Sequence, residues 1–213
     1  MMMESSVKEK VAELLLEVGA VKINPSNPFE WASGWKSPIY CDNRLTLSYP
    51  EVRSFIKDSL VQLIKATFPE AQGIAGVATA GIPQGALVAD ALNLPFLYVR
   101  SKAKRHGMAN MIEGKMAENS KVVVIEDLVS TGGSSLKAVE ALRTANYQVL
   151  SLAAIFSYGF PIAETNFKEA NVPLHTLSNY SALINLALKQ GIVSDKHLDS
   201  LNNWRKQPEI WGQ

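Results

Sequence analysis

Residues Lys121 to Ser135 read K-V-V-V-I-E-D-L-V-S-T-G-G-S-S, and this stretch decides the reading of the chain. Val122 to Ile125 form an unbroken β-branched apolar run, the pattern of a strand buried on both faces of a parallel sheet. The run stops on two adjacent acids, Glu126 and Asp127. Ser130, Thr131, Gly132, Gly133, Ser134 and Ser135 follow, all small or hydroxylic, and then Leu136, Val139 and Leu142 recur at helical spacing. The order is buried strand, acidic pair, small-residue loop, helix N-terminus. Ligands of open α/β sheets bind at the carboxyl ends of strands, and a helix N-terminus offers free N–H groups and a positive dipole end to an anion. Gly132 and Gly133 allow close backbone approach, and Thr131, Ser134 and Ser135 add hydroxyl donors. Two carboxylates repel an anion, so they serve sugar hydroxyls or a magnesium ion. The plainer alternative is an ordinary strand–turn–helix with both acids solvated.

Composition narrows the setting. The 213 residues suit one α/β domain with a decorated edge, and 47% hydrophobic with 19% charged residues provides for an ordinary core. A formal net charge of +1 gives no general drive toward nucleic acid or anionic membrane. No segment is long and apolar enough for a membrane helix, and Glu4, Lys8, Glu9 and Lys10 interrupt any signal-like run. Cys41 is the sole cysteine, so no intrachain disulfide forms; this is compatible with a reducing cytosol, and a cytoplasmic location is expected. No His/Cys cluster suggests zinc, and His175 and His197 read as structural.

Upstream, Ser6 and Glu9 form a capping box for a first amphipathic helix that Gly19 ends, with a short strand over Ala20 to Ile23. Asn24 to Leu47 is loop-rich, with Phe29, Trp31 and Trp35 around Ser33 and Gly34. These aromatics stack on a planar ligand or form a small satellite core. Ser48 and Glu51 suggest a second capping box, with Pro50 in the first turn and Pro69 past the end of the helix. Gly73 to Val77 reads as the first core strand. It runs into Ala78-Thr79-Ala80-Gly81-Ile82-Pro83, a turn before a helix over Gly85 to Leu92 and again the shape of an anion site. A strand over Pro95 to Arg100 precedes the long aperiodic segment Ser101 to Ser120, whose front carries Arg100, Lys102, Lys104, Arg105 and His106. Such a segment is a solvated loop, a nucleic-acid patch, or a lid that brings cations to a polyanion. Downstream, strands are expected over Val149 to Tyr158 and Val172 to Leu177. Helices are expected over Glu164 to Ala170, Tyr180 to Gln190 and Ser194 to Arg205, with Trp204 and Trp211 packing against the domain.

Three of these segments resemble known motifs. The acid pair with its D-x-x-x-T-G-G-S loop resembles the phosphoribosyl diphosphate (PRPP) motif of type I phosphoribosyltransferases. F-E-W-A-S-G-W-K-S-P-I-Y, from Phe29 to Tyr40, resembles the S-G-x-x-S-P signature of orotate phosphoribosyltransferases, and R-S-K-A-K-R-H-G, from Arg100 to Gly107, resembles their catalytic loop. The resemblance implies a type I phosphoribosyltransferase fold: a central, mostly parallel sheet flanked by helices, with a small hood over the active site. It implies one domain over residues 1–213, made of an N-terminal helix and hood (1–47), a PRPP-binding core (73–178) and C-terminal helices (179–213). The implied activity is transfer of the 5-phosphoribosyl group from PRPP to orotate, with Mg2+ as cofactor and a homodimer as the working form.

The resemblance also implies roles. Lys104, His106 and Asp127 are the catalytic candidates. PRPP is met by Arg100, Lys104, His106, Glu126, Asp127, Leu128, Val129, Ser130, Thr131, Gly132, Gly133 and Ser134, and orotate by Ser130. Magnesium is held mainly by PRPP, with no direct protein ligand assigned and Glu126 and Asp127 as the candidates beside it. The Arg100–His106 loop acts across the dimer, in the neighbouring subunit's site. Many family members carry lysine where Ala32 and Ala80 stand, and an arginine after the strand that follows the PRPP helix. Here no arginine occurs between Arg143 and Arg205, which implies that orotate is held with fewer side-chain cations. Two other readings remain: transfer to another base such as uracil or a purine, and a non-catalytic PRPP sensor. A sensor is expected to lose the loop's Lys and His and to gain a DNA-binding segment, and this chain keeps Lys104 and His106.

Overall fold

The computed structural model describes residues 2–31, 33–102 and 111–212, and of residues 2–6 the backbone alone. Its centre is a six-stranded sheet in the order β10-β9-β8-β5-β6-β7. The strands are β5 (Gly73–Val77), β6 (Phe96–Val99), β7 (Ile112–Glu113), β8 (Lys121–Val129), β9 (Gln148–Ser157) and β10 (Leu174–Asn179). All neighbours are parallel except β7, which returns antiparallel along β6 with Val99 opposite Ile112.

The chain enters the sheet at β5, moves one way through α3 (Gly81–Leu92) to β6, and later continues from β8 in the opposite direction. It passes through α4 (Gly133–Thr144) to β9, and through α5 (Pro161–Glu169) to β10. Right-handed crossovers that progress in opposite directions place their helices on opposite faces. Accordingly α3 packs on one face with α1 (Met2–Glu17), α2 (Pro50–Thr67), α6 (Tyr180–Lys189) and α7 (Leu198–Lys206). The other face carries α4 and α5. β8 separates the two cores by simple alternation: Val123 and Ile125 face the first, Val122 and Val124 the second. The strand order therefore reverses between β5 and β8, and the crevice at their carboxyl ends is where such sheets bind ligands.

The expected elements are present with shifted bounds, and the shifts have causes. β8 does not stop at the acids but runs to Val129, because β9 stays beside it, with Glu126 opposite Ala154 and Val129 opposite Ser157. α1 starts at Met2, so Ser6 lies inside the helix and not at its cap. Ser48 ends a 3-10 turn, Asn43–Ser48, that Asp42 caps by accepting from the Arg44 N–H at 3.2 Å; Tyr49 precedes α2 with no side-chain cap, and Pro50 takes the first helical position. α3 begins at Gly81, earlier than expected, because Pro83 is tolerated in a first turn where its missing N–H has no partner to lose. The segment 101–120 contains the short strand β7. The loop-rich section holds two ribbons: β1 (Val21–Ile23) with β4 (Ile39–Cys41), and β2 (Phe29–Glu30) with β3 (Lys36–Ser37).

Trp31 settles which way the aromatic segment goes at that residue. Its ring sits 5.1 Å from Tyr158, 6.3 Å from Phe160 and 5.8 Å from the fully buried Trp204, and its indole N–H donates to the Ile39 carbonyl. Trp31 therefore roots the β2–β3 ribbon in the core. Trp35 stacks on it from outside at 6.5 Å. Trp204 and the half-buried Trp211 do pack against the domain. The C-terminal segment also braces the ribbon, where Lys36 Nζ donates to the Gly212 carbonyl at 2.7 Å.

Candidate active site

Two strand–turn–helix units meet at the reversal of strand order. The first is β5, the turn 78–80 and α3. The peptide between Ala78 and Thr79 is cis. Gly81 packs directly on the neighbouring strand: an added Cβ would lie 2.5 Å from the Ile125 carbonyl oxygen. The N-terminus of α3 is thereby pressed against β8 at the residue before the acids.

The second unit is β8, the loop 130–132 and α4. Gly132 occupies the left-handed region at φ 83° and caps α4 without a side-chain hydrogen bond. An added Cβ there would strike Phe167 at 2.6 Å, and Asn166 Nδ2 holds the Thr131 carbonyl at 2.9 Å, so α5 fixes the loop from behind. In front the loop is open. Gly133 and Ser134 are exposed, and an added Cβ on Gly133 would meet nothing nearer than Thr131 Oγ1 at 3.9 Å. The start of α4 is therefore accessible at Gly133 and Ser134, and a helix N-terminus leaves its first N–H groups without intrahelical partners. Ser135 does not join them: it is 1% exposed and its hydroxyl donates to Glu126 Oε2 at 3.0 Å.

Glu126 and Asp127 stand beyond the end of β5. Glu126 is 5% exposed, and its Oε1 accepts from the Asp127 N–H at 3.1 Å. The two carboxyl groups lie within hydrogen-bonding reach of each other. Burial pushes Glu126 well above the usual carboxylate range, and the neighbouring Asp127 charge adds to it. Burial also raises Asp127, while the hydrogen bond from Glu126, nearby backbone N–H groups and the Arg44 charge pull the other way. Burial thus favours the protonated forms of both neighbouring acids, buried Glu126 and half-buried Asp127, and such a pair is primed for hydroxyls or a cation. Arg44 itself is paired to Asp42, with Nε to Oδ1 at 2.6 Å and the second nitrogen to Oδ2 at 2.9 Å.

Behind Asp127 lies a polar cluster that the sequence did not announce. Asn43 Nδ2 donates to the Asp127 carbonyl at 2.7 Å, and Cys41 Sγ donates to Asn43 Oδ1 at 3.2 Å. Burial raises the Cys41 thiol and the Tyr158 phenol well above their ordinary values, so both stay protonated.

Of the residues singled out in the sequence, Glu126 to Ser134 and Arg100 stand at the same ends of the parallel strands. Arg100 closes β6, and its guanidinium reaches Glu113 of β7 at 3.4 Å. Lys104, Arg105, His106 and Ala32 lie outside the described residues. His175 packs edge-on against Phe68, and His197 Nδ1 lies 3.2 Å from Ser194 Oγ, so both histidines have partners of their own.

Comparison with known proteins agrees with this geometry. The phosphoribosyl transferase domain model matches residues 49–182, from just before α2 to the start of α6. The orotate phosphoribosyltransferase of Cytophaga hutchinsonii is 58% identical over 203 residues, covering 95% of this chain and 97% of that one. The chain belongs to the orotate phosphoribosyltransferase family. A family member of known structure, from Aeropyrum pernix, superposes with a TM-score of 0.75 at 29% identity, covering 86% of this chain and 99% of that one. Leishmania donovani UMP synthase superposes at 0.76 with 24% identity; the match covers 92% of this chain and 42% of that longer one. The family fold is thus the one built above, with helices on both faces of a mostly parallel sheet. No helix among the described residues is long and apolar enough to cross a membrane.

Proposed function

We propose that this protein transfers the 5-phosphoribosyl group of PRPP to orotate, giving orotidine 5′-monophosphate and diphosphate. The observation that carries the reading is the pairing of buried Glu126 with half-buried Asp127 beside the open N-terminus of α4, in a chain of this family. A ligand with hydroxyls in its middle and a phosphate at its end matches that pair of features.

In this reading the N–H groups of α4 and the hydroxyls of Thr131 and Ser134 anchor the 5′-phosphate, with Gly132 and Gly133 giving room for it. Leu128 and Ser130 line the floor between phosphate and sugar, and Ser130 also meets orotate; Val129, 1% exposed and packed in the core under α4 and α5, offers only its backbone. Glu126 and Asp127 accept hydrogen bonds from the ribose hydroxyls. Breaking the C1–O bond builds positive charge on the ribose, which the two carboxylates stabilise. Fixing C1 in line with the base nitrogen supplies the rest of the positioning. Negative charge grows on the departing diphosphate, and Arg100, Lys104 and His106 are assigned to it by family resemblance. One such preorganised contact contributes on the order of 10²–10³ in rate.

Magnesium fits this donor set. It demands oxygen ligands and is commonly held by one or two carboxylates plus substrate phosphates and water. Two carboxyl groups are what the site offers, so the ion would rest mainly on PRPP with Glu126 and Asp127 beside it. When bound it supplies charge neutralisation for the leaving diphosphate.

We further read the whole chain 1–213 as one working domain, and the active form as a homodimer in which the Arg100–His106 loop serves the neighbouring site. Neither nucleic acid nor membrane is a partner in this reading, and a cytoplasmic location accords with the lone cysteine. The test is consumption of orotate by purified protein with PRPP, with and without magnesium, with uracil, adenine and hypoxanthine in parallel. Magnesium-dependent loss of orotate alone is expected. Turnover of another base, or tight PRPP binding with no turnover, would overturn the assignment.

A further inference from the structure

Where its pairing with β5 ends, the strand that carries the acids takes a hydrogen bond from a side chain. The register of β5 with β8 ends with Gly76 opposite Ile125, whereas β9 accompanies β8 to Val129 on the other side. Past Ile125 the first edge is no longer paired with β5. The Asp127 carbonyl on this segment is taken by Asn43 Nδ2 at 2.7 Å.

Asn43 is well built for that task. It is 1% exposed, its Oδ1 accepts from Cys41 Sγ, and its own carbonyl accepts from Thr46 Oγ1 at 2.6 Å. Both ends of the side-chain amide are therefore engaged. An amide side chain carries the donor and acceptor of a peptide group, so Asn43 acts as one rung of an absent strand. It also follows β4 by two residues, in the ribbon whose partner strand leads back to Ala20, where Asp42 N–H donates to the Ala20 carbonyl at 2.7 Å.

We propose that Asn43 is a positioning residue for the transfer reaction: through the Asp127 carbonyl it sets the carboxyl pair beneath the ribose and ties that setting to the ribbon of β1 and β4. The proposal rests on the reading of the site given under Proposed function. Asn43 touches no substrate. Its removal leaves a half-buried carbonyl without this partner and lets the β8 end, then held only from the β9 side, shift. In-line displacement is sensitive to such shifts, and a misplacement of about 1 Å costs on the order of 10²-fold. The titratable and charged groups around it are Cys41 and Asp42 before it, Arg44 after it, Glu126 and Asp127 on β8, and Tyr158 following β9.

The experiment is steady-state kinetics of the wild type, Asn43→Ala and Asn43→Asp from mildly acid to mildly alkaline pH. Asn43→Ala is expected to lower kcat by about 10- to 100-fold and to raise the KM for PRPP, with the KM for orotate nearly unchanged. Asn43→Asp keeps the volume. In alkali its carboxylate repels the Asp127 carbonyl, and activity is as poor as in Asn43→Ala. In acid the introduced carboxyl is protonated and donates again. The ratio of Asn43→Asp to wild type therefore rises toward acid pH, while the ratio for Asn43→Ala stays flat. Asn43→Asp alone carries this test should Asn43→Ala fail to fold. Thr46→Val, which removes a buried hydrogen bond to the same residue, serves as the purely structural control: a lower thermal midpoint, with an activity ratio that does not vary with pH. Wild-type kcat in Asn43→Ala, or a pH-independent loss in Asn43→Asp, would overturn the proposal. Failure of the wild type to use orotate would instead overturn the functional reading, so the two failures are distinct.

Discussion

The two turns at the reversal of strand order look alike in sequence and differ in what their glycines do. Both follow a buried strand, both are made of small residues, and both open a helix. At the β5–α3 turn the glycine is consumed by packing: Gly81 lies on the β8 backbone, and an added Cβ at Gly76 would in turn meet the Gly81 carbonyl at 2.9 Å. At the β8–α4 turn Gly132 packs against Phe167 while Gly133 faces open space. A glycine pressed on protein backbone serves the fold, and one that faces nothing leaves room for a ligand. The pair shows that a Gly-bearing turn after a strand does not by its sequence tell which glycine serves packing and which leaves room. What lies within 4 Å of the missing Cβ decides its role.

The sharpest way to strengthen the comparison lies just before the open turn. Asp127→Asn is expected to lower kcat/KM for PRPP by on the order of 10²–10³ with the fold intact, read by steady-state kinetics and circular dichroism. A smaller effect of the opposite kind is expected at the packed turn. Gly81→Ala should reduce unfolding stability by about 1–3 kcal/mol, as measured by urea denaturation. Gly133→Ala should leave stability within about 0.5 kcal/mol and raise the KM for PRPP by about tenfold. Similar stability losses in both glycine variants would break the comparison.

The smallest effect concerns the carboxyl pair in the free protein. Both native carboxyls are raised above their ordinary values. The native state therefore binds more protons than the unfolded chain between the ordinary carboxyl range and the raised native values. In that window stability falls as pH rises, and below the ordinary range the difference vanishes. Glu126→Gln removes the buried ionisable group, so it should raise the thermal midpoint at neutral pH and flatten its pH dependence, while PRPP turnover declines. Scanning calorimetry across that window checks the sign; a steeper slope in the variant would contradict it.

Much of this site was legible because it rests on residue types in local order. A β-branched run, two acids and a Gly/Ser/Thr loop before a helical period are features that any window along the chain displays. What remained hidden depends on long-range pairing. β8 continues past the acids because β9 keeps pairing with it, and no local pattern encodes that partner. Ser135 reads as a loop donor until the first turn of α4 directs its hydroxyl to Glu126. Asn43 lies 84 residues from Asp127, and an asparagine after a short strand reads as an ordinary turn residue. The aromatic segment stayed open between ligand stacking and packing until Tyr158, Phe160 and Trp204 were seen around Trp31. Both expected capping boxes failed for one reason: a Ser-x-x-Glu pattern marks a helix start only where no preceding turn has already claimed the serine.

The most direct test of the account is a crystal structure with PRPP and magnesium. The 5′-phosphate is expected about 3 Å from the N–H groups of Gly133 and Ser134, with the ribose hydroxyls on Glu126 and Asp127 and the diphosphate toward the turn before Gly81. A 5′-phosphate seated at the β5–α3 turn, with the open end of α4 left to solvent, would contradict it.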